Sequence, residues 1–98
     1  MSAGRSTDDV GPVLEASESG RAVVAAIRHL NADVTVVDRG GYLRVLVPRR
    51  CVVTRQAIEE ALGQKFQLPL DLEALMPAFK GRITMDGDHA EWWLGEAS

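Results

Sequence analysis

Cysteine is almost missing from this sequence: Cys51 is the only one among 98 residues, so no internal disulfide can form. Set in the run Cys51-Val52-Val53, it reads as a small core residue rather than a reactive thiol. Long apolar stretches are missing too. The longest, Ala22 to Ile27, has six residues, far short of the roughly 20 that span a bilayer, which excludes a transmembrane helix. Met1 to Asp9 are small and polar, end in two acids and lack the apolar stretch of a secretory signal. They read as a flexible tail, residues 1–9, ahead of a single domain, residues 10–98, in a cytoplasmic protein. Charge of one sign is also lacking: 11 basic against 14 acidic residues give a net charge of -3, with the arginines scattered among acids. Electrostatic capture of a nucleic-acid backbone is therefore excluded as the main function. The one adjacent basic pair, Arg49-Arg50, follows Pro48 and reads as a solvated turn.

Catalytic equipment is just as sparse. There are two histidines, and no Glu-x-x-His, His-x-His or Cys-x-x-Cys spacing, so no locally built metal site is expected. His29 near a helix end and His89 after a turn are explained by the helix dipole and by solvent. Gly40-Gly41 is a turn pair rather than a phosphate loop. The carboxylate pairs Asp8-Asp9, Glu59-Glu60 and Asp86/Asp88 fall on a tail, a helix surface and a turn, and none is assigned acid–base work.

The chain does carry a regular alternation of short elements. Val10 to Ala16 reads as a strand entered through Gly11-Pro12. Val23, Val24, Ile27 and Leu30 recur at helical spacing, which predicts a helix over Glu18 to Leu30, with Ser17 or Ser19 as N-cap and Asn31 near its end. Val34 to Val36 and Tyr42 to Val47 read as strands about a turn at Asp38 to Gly41, with Leu43, Val45 and Val47 on one face and Tyr42, Arg44 and Leu46 on the other. Cys51 to Val53 is a third short strand. Thr54 then caps a helix with Ile58, Ala61 and Leu62 on its apolar side and Arg55 and Glu59 paired at i,i+4, stopped by Gly63. Asp71 opens a shorter helix ended near Pro77. Gly81 to Met85 and Ala90 to Leu94 flank the turn sequence Asp86-Gly87-Asp88. Trp92 and Trp93 must lie on opposite faces of the last strand, one filling the core and the other covered or offered to a partner. The order predicts a compact α+β domain, with mostly antiparallel sheets packed under helices.

Four segments, taken in order, go further: Val10-Gly11-Pro12-Val13; Val36-Val37-Asp38-Arg39 with Tyr42-Leu43-Arg44-Val45; Thr54-Arg55 leading into Glu59-Glu60-Ala61-Leu62-Gly63; and Phe79-Lys80-Gly81-Arg82-Ile83. From about Val10 to Leu94 the chain resembles the effector proteins of soluble multicomponent di-iron monooxygenases. That family includes methane monooxygenase component B, the phenol hydroxylase activator and, most similar here, the toluene monooxygenase catalytic effectors. The resemblance implies linked βαββ and βααββ units, no cofactor, and binding to a hydroxylase that itself holds two irons. It implies a non-catalytic role in raising turnover, coupling and regioselectivity, and competition with an electron donor, a Rieske ferredoxin or a reductase. The residues expected at the partner interface are Val10, Gly11 and Pro12, then Asp38, Arg39, Tyr42 and Arg44; Arg and Tyr suit an interface centre by their paired donors and amphipathic ring. Two competing readings are a small dimeric α+β isomerase or cyclase using His29, His89 or Glu91 in an interfacial pocket, and an RNA-binding sheet. The second wants aromatics flanked by basic residues, whereas Trp92 follows Glu91.

Overall fold

The first helix forms where its caps and its apolar stripe coincide. A computed structural model of the chain describes residues 8–95. In it, α1 spans Glu18–Leu30, and Ser17 Oγ accepts the Gly20 N–H at 3.1 Å. Glu18 in the first turn and Arg28 and His29 in the last complement the helix dipole. From its buried face, Val23, Ala26 and Ile27 share the core with Val10, Leu14, Val45 and Val47 of a four-stranded sheet. That sheet has the order β2-β3-β1-β5 and is built from β1 (Asp9–Glu15), β2 (Thr35–Asp38), β3 (Tyr42–Pro48) and β5 (Ala78–Lys80). A second sheet, β4-β7-β6, uses β4 (Arg50–Thr54), β6 (Arg82–Met85) and β7 (His89–Trp93). Every pairing is antiparallel. Two short helices, α2 (Arg55–Leu62) and α3 (Leu70–Leu75), follow β4. Thr54 Oγ1 caps α2 through the Ala57 N–H at 3.1 Å and Gly63 ends it at φ 80°, as expected. The α+β class is as predicted.

Two short corners carry the chain from one sheet to the other. Arg49, at φ 70°, joins β3 to β4; its N–H donates to Asp8 O (2.8 Å) and its carbonyl accepts from Leu94 N–H (3.0 Å). Gly81, at φ 98°, joins β5 to β6. A Cβ there would lie 2.6 Å from Val10 Cγ1 and 2.8 Å from Trp93 O, so only glycine fits where the two sheets meet. Strands that switch sheets through such bends let two sheets close around one core. Val10, Leu14, Val45 and Val47 from the first sheet pack there with Cys51, Val53, Ala90 and Trp92 from the second and with Ile58 and Leu72 from the short helices.

Trp92 is fully buried while its indole N–H has no partner among the described residues. An unmade hydrogen bond costs about 1–3 kcal/mol, whereas a ring burying roughly 200 Å² gains about 5 kcal/mol at 25 cal/mol/Å². Burial wins. Trp93 faces outward, its Nε1 donating to Thr84 Oγ1 (3.2 Å) and its ring covered by the Arg82 guanidinium at 5.7 Å. Asn31 stitches α1 to the second sheet. Its carboxamide accepts from Val52 N–H (3.0 Å) and donates to Val52 O (2.8 Å) and to Ile27 O (2.8 Å), so it acts as one more peptide unit on the free edge of β4.

Some expectations need correction. The second half reads βααβββ, because Ala78–Lys80 forms β5, a strand that the sequence reading left out, and Gly81 lies between strands rather than within one. All three β5 residues are exposed and only β1 pairs with them, so no apolar pattern announced the strand. Arg50 is not in a turn: it opens β4 and forms an ion pair with Glu91. Asp9, assigned to the tail, begins β1, while residues 1–7 of that expected tail lie outside the described residues.

Candidate functional site

The inner face of the four-stranded sheet is occupied by α1 and the core, whereas its outer face is open. Register shows what lies there. Val13 stands opposite Arg44 and Ala78, Glu15 opposite Tyr42, and Val37 opposite Arg44. Because side chains alternate along a strand, Tyr42 and Arg44 project outward while Leu43, Val45 and Val47 are buried. Tyr42 is 46% exposed. Val13, Arg39, Tyr42, Arg44 and Pro77 together line a groove of about 320 Å³.

A tight turn places Arg39 in that groove. Asp38 Oδ1 accepts the Gly40 N–H (2.8 Å), the Arg39 N–H donates to Tyr42 O (2.8 Å), and the Gly41 carbonyl is held by the Ala16 N–H (2.9 Å). The Asp38 carboxylate therefore shapes the β2–β3 hairpin from inside the turn, an Asx geometry that aspartate favours. Three of the expected interface residues, Arg39, Tyr42 and Arg44, are thus gathered at one groove, and Asp38 sits behind them.

Val10, Gly11 and Pro12 are placed differently: all three are buried in β1. Val10 is part of the core. Gly11, at φ 145°, lies so close to β3 that a Cβ would strike the Val45 carbonyl. Pro12, opposite Phe79, is fully buried. Their visible work is to set how closely β1 approaches β3. Val13 and Pro77, by contrast, were not anticipated as groove residues. Strand alternation would have put Val13 beside Arg44 once β1 and β3 were paired, but nothing local points to Pro77.

Several other ionisable groups lie away from this groove. Glu91 pairs with Arg50 and holds that guanidinium above its usual range through the hydrogen bond between them. His89 Nδ1 lies 3.1 Å from Asp86 Oδ1, and Asp86 is held below the ordinary carboxylate range chiefly by the backbone N–H groups of Asp88 and His89. His29 lines a shallow groove with Ala25, Ala57 and Glu60 between α1 and α2. Burial pushes the Cys51 thiol up to about 12, as suits a packing residue. Among the described residues no three His, Cys, Asp or Glu side chains are grouped to hold a metal ion, and no helix is long and apolar enough to cross a membrane.

The sequence pattern of the MmoB/DmpM family matches residues 8–93, nearly the whole chain. The chain belongs to that family. The effector subunit of the alkene monooxygenase system of Xanthobacter autotrophicus is 40% identical over 86 residues, covering 86% of this chain and 84% of that protein. The fold is shared with a chain of the phenol hydroxylase–regulatory protein complex, with a TM-score of 0.77 at 20% identity over 89% of this chain and 98% of that one. It is shared also with regulatory protein B of soluble methane monooxygenase, with a TM-score of 0.68 at 23% identity over 97% of this chain and 71% of that one. At these identities the two structures speak for the fold, and the alkene monooxygenase subunit for the family.

Proposed function

We propose that this chain is a non-catalytic effector subunit of a multicomponent hydrocarbon monooxygenase, acting in the cytoplasm on the di-iron hydroxylase component. The 40% identity to an alkene monooxygenase effector subunit carries the reading. An open sheet face with a groove containing Arg39, Tyr42 and Arg44 supports docking through that face. Tyr and Arg are among the residues enriched at the energetic centre of interfaces. In this scheme Val10, Gly11 and Pro12 act from beneath by holding β1 against β3, and Asp38 acts by fixing the turn that presents Arg39.

An effector without chemistry of its own works only through differential affinity: it must bind one hydroxylase conformation more tightly than another. A preference of about 1–3 kcal/mol shifts the populations about 5- to 150-fold. Raised turnover, tighter coupling of oxygen use to product, and altered regioselectivity all follow from such a shift. Because the electron donor must also reach the hydroxylase, a Rieske ferredoxin or reductase competes for an overlapping surface.

The test is reconstitution. Adding the chain up to stoichiometric amounts to its cognate hydroxylase and electron donor should raise product formed per oxygen consumed; no change in rate, yield or product distribution refutes the reading. Tyr42→Ala should weaken the complex about tenfold or more while circular dichroism stays that of the parent. Unchanged affinity would remove the groove from the interface.

A further inference from the structure

The groove holds two cations that make no ion pair among the described residues. Among the described residues four arginines are engaged, Arg49 with Asp8, Arg50 with Glu91, Arg55 with Glu59 and Asp88, and Arg82 over Trp93, whereas Arg21 and Arg28 on α1, like the two groove arginines, make no ion pair. Among the described residues Arg39 and Arg44 have no carboxylate within ion-pair distance, and the other groove residues are Val13, Tyr42 and Pro77. Asp38 and Glu15 adjoin the groove without lining it. Asp38 accepts the Gly40 N–H, and Glu15 stands opposite Tyr42 without lining the groove. The lining of the groove itself thus carries two guanidiniums and no carboxylate, with Asp38 and Glu15 only at its margins.

We propose that this groove clamps a carboxylate on the hydroxylase, an Asp or Glu side chain next to an apolar residue, with Arg39 and Arg44 as its donors. The inference rests on the docking reading above and adds the chemistry of the docked segment. Guanidinium forks match carboxylates through two parallel N–H donors. Val13, the Tyr42 ring and Pro77 supply an apolar bed for the neighbouring side chain and lower the local dielectric, which strengthens the charged contact. A fully hydrated inorganic anion would gain nothing from those three walls, whereas an amphipathic protein segment uses both halves of the groove.

The experiment measures the dissociation constant of the full-length chain with its cognate hydroxylase at low and high salt. The chain is taken as wild type and as Arg39→Gln, Arg44→Gln, the double variant, Arg44→Lys and Tyr42→Ala. Both arginines are exposed, so each variant should keep the parent circular dichroism. Each single glutamine variant should weaken binding about tenfold or more, and the double should lose less than the product of the singles because both donors serve one acceptor. Arg44→Lys should restore only part of the loss, and the glutamine variants should show a shallower salt dependence than the wild type. Glutamine variants that bind like the wild type while Tyr42→Ala binds weakly would overturn the clamp and leave docking intact. A wild-type chain that fails to bind would overturn both.

Discussion

Replacing Gly81 by alanine tests the way the two sheets are joined. Two penalties act at this corner. At φ 98° an L-residue is strained by about 1–3 kcal/mol. The new Cβ would also sit 2.6 Å from a methyl of the fully buried Val10 and 2.8 Å from the Trp93 carbonyl, which belongs to a central strand and cannot retreat cheaply. Overpacking of that kind costs about 1–3 kcal/mol more. A combined loss of about 3 kcal/mol is a large fraction of the 5–15 kcal/mol that hold a domain together, and in a chain of this size it lowers Tm by about 12–24 °C. Gly40→Ala is the matched control: its φ is 84°, yet nothing lies within 4 Å of the added methyl, so it carries only the backbone strain. Thermal unfolding followed by circular dichroism should therefore place Gly81→Ala well below Gly40→Ala. Equal melting temperatures for the two variants would show that the corner is not crowded, and the account of how the sheets close would be wrong.

Asn31→Asp should cost about 1–3 kcal/mol, because a carboxylate can still accept the Val52 N–H but cannot donate to the carbonyls of Ile27 and Val52. Those carbonyls raise the new carboxyl's pKa, so the deficit should be smallest below about pH 4 and grow as pH rises; urea midpoints at pH 4 and pH 7 that show the same deficit would contradict the bridge. Cys51 should stay unreactive toward a thiol reagent at pH 8 until urea unfolds the chain, and rapid native-state labelling would contradict its burial. Its thiol is raised from 9.0 to about 12, so its contribution is complete below about pH 9, where the unfolded thiol is neutral, and is lost as pH rises toward 12. The stability gap between the wild type and Cys51→Ala should narrow over that window.

Local rules carried much of the fold. Residues 18–30 form α1 as predicted because an apolar stripe, a serine cap and a favourable charge order agree. Thr54 and Gly63 bound α2 for equally local reasons. The split roles of Trp92 and Trp93 followed from period-two alternation alone. What escaped was set by partners distant in the chain. The strand at 78–80 exists because β1 offers it an edge, and the burial of Val10 to Pro12 exists because β1 ends up flanked on both sides. The groove was half legible: Tyr42 and Arg44 share a strand face and Arg39 leads into their hairpin, whereas Val13 and Pro77 join them only after long-range pairing.

The late arrival of the 78–80 strand also bears on how the chain is made. While the chain emerges from the ribosome, β1 is made before β5 and lacks that neighbour until Lys80 has been synthesised, after all three helices. Between those two points the nascent chain carries an open edge on β1, a feature prone to pairing with other polypeptides. Closure of the four-stranded sheet on that side of β1 therefore waits for Lys80.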